Sequence, residues 1–451
     1  MAQATSNVCP VEDIRGQAGI GSVLSLDAIG KQDQFLLGDY SFLNYATRQH
    51  SVFQQYQTST YVPAATGTAN WPFNGATVLV TLYPKQMGDL LTKMYLKCTM
   101  PKLQDVGNPP QFPGPFYLSS RYCENVGRAI ISSVKFRVDQ YEIETIYDDW
   151  LHIYDDLYLT SDQKSATFDM TAGNGDRRYG PLDLYIPLNF FFSSKQSSYF
   201  PLCAITNQKI ILEIVFNKTN FFTNSRVDIP PYTLSLPYFE IVCEQIVVSD
   251  AERLLFQAPK FKMLARVSQK QPEIQTAPGD AFLKAPLVMN IPVENIHWAL
   301  RQTIFQQPDV LGVTDYYLNR YNYSATSNTN VLVQAVTPIM SDVTIFINNQ
   351  SELGFFADYT NNDIGRATYY RFAEPLKTNL SSPQLNVYTY AFSLDGLNND
   401  LSGAIDFSKV PAQTTFLQMN LLTQFASNAY TVEIFYVALR ALTFSEGFMS
   451  F

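Results

Sequence analysis

Apolar and polar residues trade places at every second position through much of this chain, and that period restricts the fold more than any other feature. Val134, Phe136 and Val138 alternate with Lys135, Arg137 and Asp139. Ile210, Leu212, Ile214 and Phe216 make a second such face, Val343, Ile345 and Ile347 a third, and Tyr430, Val432, Ile434 and Tyr436 a fourth. Successive side chains of a strand point to opposite faces of its sheet, so a period of two marks a strand buried on one side. Between these runs lie clusters of turn-forming residues, at 107–115, 171–180, 228–231, 359–365 and 394–403. Helical periodicity is confined to short candidates at 147–159, 250–256 and 86–91. Many strands joined by long Pro/Gly loops predict an all-β chain of sandwiches or jelly rolls.

A weak internal repeat suggests how the strands divide. Phe136, Gln140, Glu142 and Asp148 recur as Phe346, Gln350, Glu352 and Asp358, at a constant offset of 210 residues. Both copies read as strand, tight polar turn, strand, with Asp139-Gln140 and Asn348-Asn349 supplying the turn chemistry. Strands ending near Pro101 and Pro308 point to a similar spacing. An offset of nearly half the 451 residues suggests duplication of a domain of about 200 residues. Eight strands of about six residues occupy a quarter of such a half, so each half carries long loops. The expected architecture is two tandem eight-stranded jelly-roll barrels with a few short helices. The expected divisions are an N-terminal arm at 1–25, a first jelly roll at 26–222, a linker at 223–237 around Pro230-Pro231, and a second jelly roll at 238–451.

Composition narrows the function. Charged residues are 16% of the chain and aromatic residues 14%, led by 28 Tyr and 32 Phe. So few charges and so many aromatics fit either a Tyr-rich β protein or one whose surface is covered by neighbouring subunits. The net charge of −9, with Arg177-Arg178 as the densest basic pair, argues against coating nucleic acid. Cys9, Cys98, Cys123, Cys203 and Cys243 are scattered, odd in number and without a CxxC, so buried free thiols in a reducing compartment are expected. The N-terminus does not read as a signal peptide, and no apolar run is long enough to span a membrane.

No motif of catalysis emerges. His50, His152 and His297 are far apart, which makes a zinc site improbable. Gly16 to Gly21 lacks the Lys-Ser/Thr of a phosphate loop and reads as an N-terminal arm. The pairs Asp148-Asp149 and Asp155-Asp156 could serve as glycosidase carboxylates, but the expected reading is a solvated acidic face on a short helix. Sequons stand at Asn217, Asn322, Asn349 and Asn379, of which Asn322 and Asn379 suit surface positions. No catalytic, cofactor-binding or metal-binding residue is assigned.

Several segments, taken in order, resemble one family. Gly30, Asp33 and Leu36 are followed by Phe42, His50 and Phe53, and then by Gly88-Asp89-Leu90-Leu91 leading to Met100-Pro101. Asn125, Gly127, Ala129 and Ile131 run on to Trp150. Tyr185, Pro187, Leu188, Phe190 and Phe192 precede Phe200-Pro201-Leu202. Asp250, Glu252 and Arg253 follow, then Tyr390, Phe392 and Leu394, and then Ser402-Gly403 with Asp406-Phe407-Ser408. The ordered set resembles the major capsid proteins of nucleocytoplasmic large DNA viruses. Two departures, at Ala438 to Arg440 and from Pro411 onward, leave the last strand less determined.

The resemblance implies a double jelly roll that trimerises into a pseudo-hexagonal capsomer and tiles an icosahedral outer shell. Loops at 160–179, 312–330 and 359–383 would then face outward. The arm at 1–25 would face minor capsid proteins and an internal membrane, with penton proteins as further partners and no direct nucleic-acid contact. Such a chain would be a virion protein assembled in the host cytoplasm, with neither enzymatic activity nor cofactors. The alternative reading is a carbohydrate-binding or carbohydrate-active β-sandwich.

Overall fold

The computed structural model describes residues 53–61, 71–72, 75, 77–102, 122–173, 181–194, 198–223, 235–236, 239–257, 260–303, 320–324, 338–351, 366–397, 402–422 and 428–451. Sixteen strands carry the architecture. The first eight are β1 (Phe53–Tyr61), β2 (Thr77–Leu82), β3 (Leu90–Met100), β4 (Ile131–Val138), β5 (Tyr141–Tyr147), β6 (Leu182–Pro187), β7 (Ile210–Phe216) and β8 (Phe239–Val248). They form two antiparallel sheets in the orders β1-β8-β3-β6 and β2-β7-β4-β5.

The second eight are β9 (Phe261–Lys270), β10 (Phe282–Pro286), β11 (Pro292–Gln302), β12 (Met340–Ile347), β13 (Gln350–Ser351), β14 (Val387–Ala391), β15 (Phe416–Leu421) and β16 (Tyr430–Ser445). Their orders are β9-β16-β11-β14 and β10-β15-β12-β13. Adding eight to every strand of the first set gives the second. Each set brings its first and last strands together and closes its central hairpin in the facing sheet, which is the two-Greek-key order of a jelly roll. The all-β class expected from the alternation is what the chain adopts.

The alternating faces point where the period requires. Ile210, Leu212, Ile214 and Phe216 are buried, as are Val134, Phe136 and Val138, and Tyr430, Val432 and Ile434. In the first barrel Phe136 sits 5.3 Å from the Phe190 ring, 5.2 Å from Phe192 and 5.3 Å from Phe200. In the second, Trp298 stacks on Tyr388 at 5.9 Å and meets Tyr370 edge-on at 5.4 Å.

Four expectations need correction. β8 pairs with β1 and β3, so the first set extends to Val248, and the change to the second falls beyond 248 and not at 223–237. The chain must return to β1 to complete the first Greek key. Residues 84–86 form a 3-10 turn and Leu90 already belongs to β3, so the helix candidate at 86–91 is the end of that turn, a short irregular link and the first two residues of the strand. The other two helices stand, as α1 (Asp148–Leu157) and α3 (Asp250–Gln257), with α2 (Ser161–Met170) between them in the chain. Thr160 caps α2 by the reciprocal Thr–Gln163 arrangement, which turns part of the expected outer loop into helix.

The third correction concerns the repeat. The hairpins β4–β5 and β12–β13 do correspond, but Val138 pairs with Tyr141 and Ile347 with Gln350, a spacing of one residue less than the offset of the four identities. Phe136 is therefore the counterpart of buried Ile345, and Phe346 lies on the opposite face, half-buried against Phe416 at 4.8 Å. Glu352, Asp358 and Pro308 fall outside the described residues, as does the arm at 1–25. The fourth concerns the last strand: β16 runs sixteen residues through the family departure and is flanked by both β9 and β11.

Candidate functional site

The most concentrated chemistry lies where the two barrels meet. β5 leads directly into α1, whose first turn carries Asp148 and Asp149, a placement that the helix dipole favours. The same helix buries Trp150, Leu151, Ile153 and Leu157. Trp150 bridges the barrels, with the His297 ring at 5.7 Å and the Phe435 ring at 5.6 Å. Beneath it the outer face of the β9-β16-β11-β14 sheet presents Lys270, Glu433, Arg301, His297 and Thr389. A sheet face that would ordinarily be solvated is thus covered, and its polar groups must find partners inside the protein.

They do. Arg301 donates to Asp149 through both terminal nitrogens, at 2.8 and 2.9 Å, and to Glu433 Oε1 at 2.7 Å. Its Nη1 also reaches the Arg320 carbonyl at 3.1 Å. Tyr323 and Tyr321 donate to Asp149 and Asp148, each at 3.3 Å. Lys270 Nζ stands 4.0 Å from Asp149 and 2.6 Å from Glu273. Burial alone would raise Asp149, but Arg301 and Lys270 outweigh it and hold its carboxyl below the ordinary range. Asp148 and Glu433 go the other way, pushed up first by burial and further by the Asp149 charge, against the opposing pull of Arg301.

Other contacts extend the joint. Glu144 Oε1 accepts from the Ser268 amide and hydroxyl, both at 2.7 Å, while Oε2 accepts from the Phe191 amide at 2.8 Å. Burial pushes its carboxyl up to about 7 against those hydrogen bonds. Asp156 accepts from the Gln384 and Leu385 amides at 2.9 and 3.0 Å, while within the first half Arg128 holds Asp155 at 2.8 and 2.9 Å. Arg440 donates to the Glu142 and Ile143 carbonyls at 2.9 and 2.8 Å. Gln208 and Met449 exchange two hydrogen bonds, tying the last turn of chain to the first barrel.

The acidic pairs are therefore not a solvated face. Asp148, Asp149 and Asp156 are engaged by partners more than 150 residues away, and Asp155 by Arg128. Sequence reasoning missed Arg301, Lys270, Glu433 and Glu144. Their one local signal was charge at strand positions, which is common on any half-exposed sheet.

The histidines are packing residues where described. His152 stacks on Tyr321 at 4.5 Å and faces the Asn125 amide nitrogen at 3.1 Å, and burial lowers it to about 4. His297 bonds Tyr158 at 2.8 Å and Thr389 at 2.9 Å and is lowered by burial to about 3. His50 and Cys9 lie outside the described residues. Among the described residues no three His, Cys, Asp or Glu side chains gather as a metal site. Cys98, Cys123, Cys203 and Cys243 are buried free thiols.

Two surface expectations change. Asn322 is buried and accepts from the Ser324 amide, whereas Asn349 and Asn379 are exposed, each with a positive φ. Asn217 spends its amide on the Ala129 and Ile131 carbonyls. Arg320, Tyr321 and Tyr323 are buried at the joint rather than presented outward, and 366–377 is helical and packs Tyr370 and Glu374 inside. Large apolar side chains that do face outward include Leu254 and Leu255 on α3, and Phe282, Val288, Leu376 and Leu394.

Residues 59–234 match a family model described as the major capsid protein N-terminus. Capsid protein 1 of Acanthamoeba polyphaga mimivirus is 21% identical over 305 residues, which is 63% of this chain and 49% of that one. The major capsid protein of Phaeocystis pouchetii virus is 24% identical over 324 residues, 62% of this chain and 58% of that one. The chain spans about half the length of the curated relatives it matches. Among solved structures, the PBCV-1 virus capsid superposes with a TM-score of 0.68 at 16% identity, covering 89% of this chain and 97% of that one.

Proposed function

We propose that this chain, a relative of the major capsid proteins of large DNA viruses, is itself the major capsid protein of such a virus and tiles its icosahedral outer shell. The observation that carries this reading is the pair of eight-stranded sets in one order, held in one chain by a joint that buries charge. A subunit of two similar barrels can place six barrels in a ring with three copies, and a near-sixfold ring packs on a hexagonal lattice. Self-association follows from the same geometry, and the outward Leu254, Leu255, Phe282 and Leu376 supply apolar area for it. An obligate interface of this kind buries more than about 2,000 Å².

The role is structural and not catalytic. Its partners are other copies of the chain, then the minor capsid and penton proteins of the particle. The arm at 1–25 is assigned to the inner side, towards an internal membrane, and assembly to the host cytoplasm. Light scattering and negative-stain microscopy of the purified chain test the proposal. A discrete trimer with six lobes is expected, and a monodisperse monomer at micromolar concentration would overturn it.

A further inference from the structure

The joint between the barrels holds more negative than positive charge, nearly sealed from solvent. Helix α1 turns Asp148, Asp149 and His152 towards it; β9 brings Lys270, with Glu273 just beyond its end. β11 brings Arg301, β16 brings Glu433, and the segment 320–324 brings Tyr321 and Tyr323, with Cys123 near Tyr321. Burial keeps both phenols and the His152 imidazole neutral near pH 7. Among the described residues three buried carboxylates therefore face two cations, Arg301 and Lys270, the latter shared with Glu273 at the solvent edge, while buried Arg320 turns its guanidinium to the Phe221 carbonyl and ring.

A buried charge without a counter-charge is relieved most cheaply by keeping a proton. Arg301 grips Asp149 with two hydrogen bonds and Glu433 with one. Asp148 meets only the Tyr321 hydroxyl among the side chains bonded to it here, at 3.3 Å. The geometry thus leaves Asp149 ionised and the surplus proton on Asp148 or Glu433.

We propose that the joint between the two barrels carries one releasable proton, so that its grip weakens as the medium passes from neutral to mildly alkaline. The inference stands apart from the shell reading, because it concerns one isolated chain.

The sign follows from linkage. Asp148 and Glu433 are raised in the folded chain above their ordinary values near about 4, so between those values and the raised ones the folded state binds more protons than the unfolded. Their contribution is complete below the ordinary range and is lost as pH rises through the folded values. His152 and His297, both lowered, pull the opposite way below about pH 6.5. Cys98, Cys203 and Cys243, pushed by burial up to about 12, add a loss of the same sign above about pH 8.5. Glu144, pushed by burial up to about 7, and Asp155 and Glu294, also raised by burial, lose stability with the same sign. The joint proton is therefore read, between those limits, as the difference in slope between the wild-type chain and variants at Asp148 and Glu433.

Melting temperature is measured from about pH 6.5 to about pH 8.5 for the full chain, Asp148→Asn and Glu433→Gln. The wild-type chain is expected to lose a few degrees across that window. Each amide replaces a protonated carboxyl, so a shallower slope in either variant supports the proposal. A flat wild-type curve, or wild-type slopes in both variants, overturns it. Should neither variant fold, infrared difference spectra of Glu144→Gln decide between the outcomes. A protonated-carboxyl stretch lost on raising the pH supports the joint proton, and no such band overturns it.

Discussion

Phe136 and Phe346 occupy corresponding hairpins of the two barrels and have opposite fates. Phe136 is sealed inside a cluster of Phe190, Phe192 and Phe200. Phe346 stacks on Phe416 on the other face of its strand, with Lys284 Nζ 3.5 Å from the centre of the Phe416 ring. The turns explain the difference. In the first hairpin Asp139 alone takes a positive φ, while in the second both Asn348 and Asn349 do. Identical letters around the two turns align one residue out of step with the pleat, and a slip of one residue exchanges the faces of a strand. A match in sequence located the right hairpin and the wrong side of it.

The largest effect is expected at the buried member. Phe136→Ala should cost about 3–5 kcal/mol in urea denaturation, because the Phe cluster around it cannot collapse onto the void. A loss no greater than that of Phe346→Ala would break the assignment of opposite faces. Comparable in size is Arg301→Ala, which strands Asp149 and Glu433 without their shared cation and should cost about 3–5 kcal/mol. That result would set the charged joint beside the apolar cores as a determinant of stability, whereas a neutral outcome would reduce it to a bystander.

A pH experiment sharpens the same contrast. His297 is neutral in the fold and protonated in the unfolded chain below about pH 6.5, so its contribution is present above that value and is lost as pH falls through the folded value. Stability should fall by up to about 1.4 kcal/mol per pH unit for this group, and His297→Gln should remove that share from the acid limb of a denaturation series. Phe346→Ala, which loses one stacked pair and only part of a buried ring, should fall well below Phe136→Ala, at about 1–2 kcal/mol. Ile345→Val, at the true counterpart of Phe136, should cost about 0.5–1.5 kcal/mol.

The joint and the cores differ in how far they could be read in advance. The cores follow from alternation that any eight-residue window displays, and the inward faces at Val134, Ile210, Val343 and Tyr430 needed no long-range information. Asp148 and Asp149 looked like a solvated helix face because their partners lie far along the chain. Arg301 is 152 residues from Asp149, and Glu433 a further 132 from Arg301. Asn322 looked exposed for the same reason: a polar, Tyr-rich stretch resembles a loop until Asp148 and Asp149 take up its tyrosines.

By itself the sequence determined that this chain is built of strands, roughly where they run, and that it falls into two similar halves. These are local properties, since side-chain period and turn chemistry act over a few residues. Only the tertiary structure decided that β8 returns to the first barrel, which side of the pleat Phe346 takes, and that the acidic helix is buried against the second barrel. Those outcomes turn on register and on charges meeting across more than a hundred residues, where a shift of one position or one missing partner reverses the result.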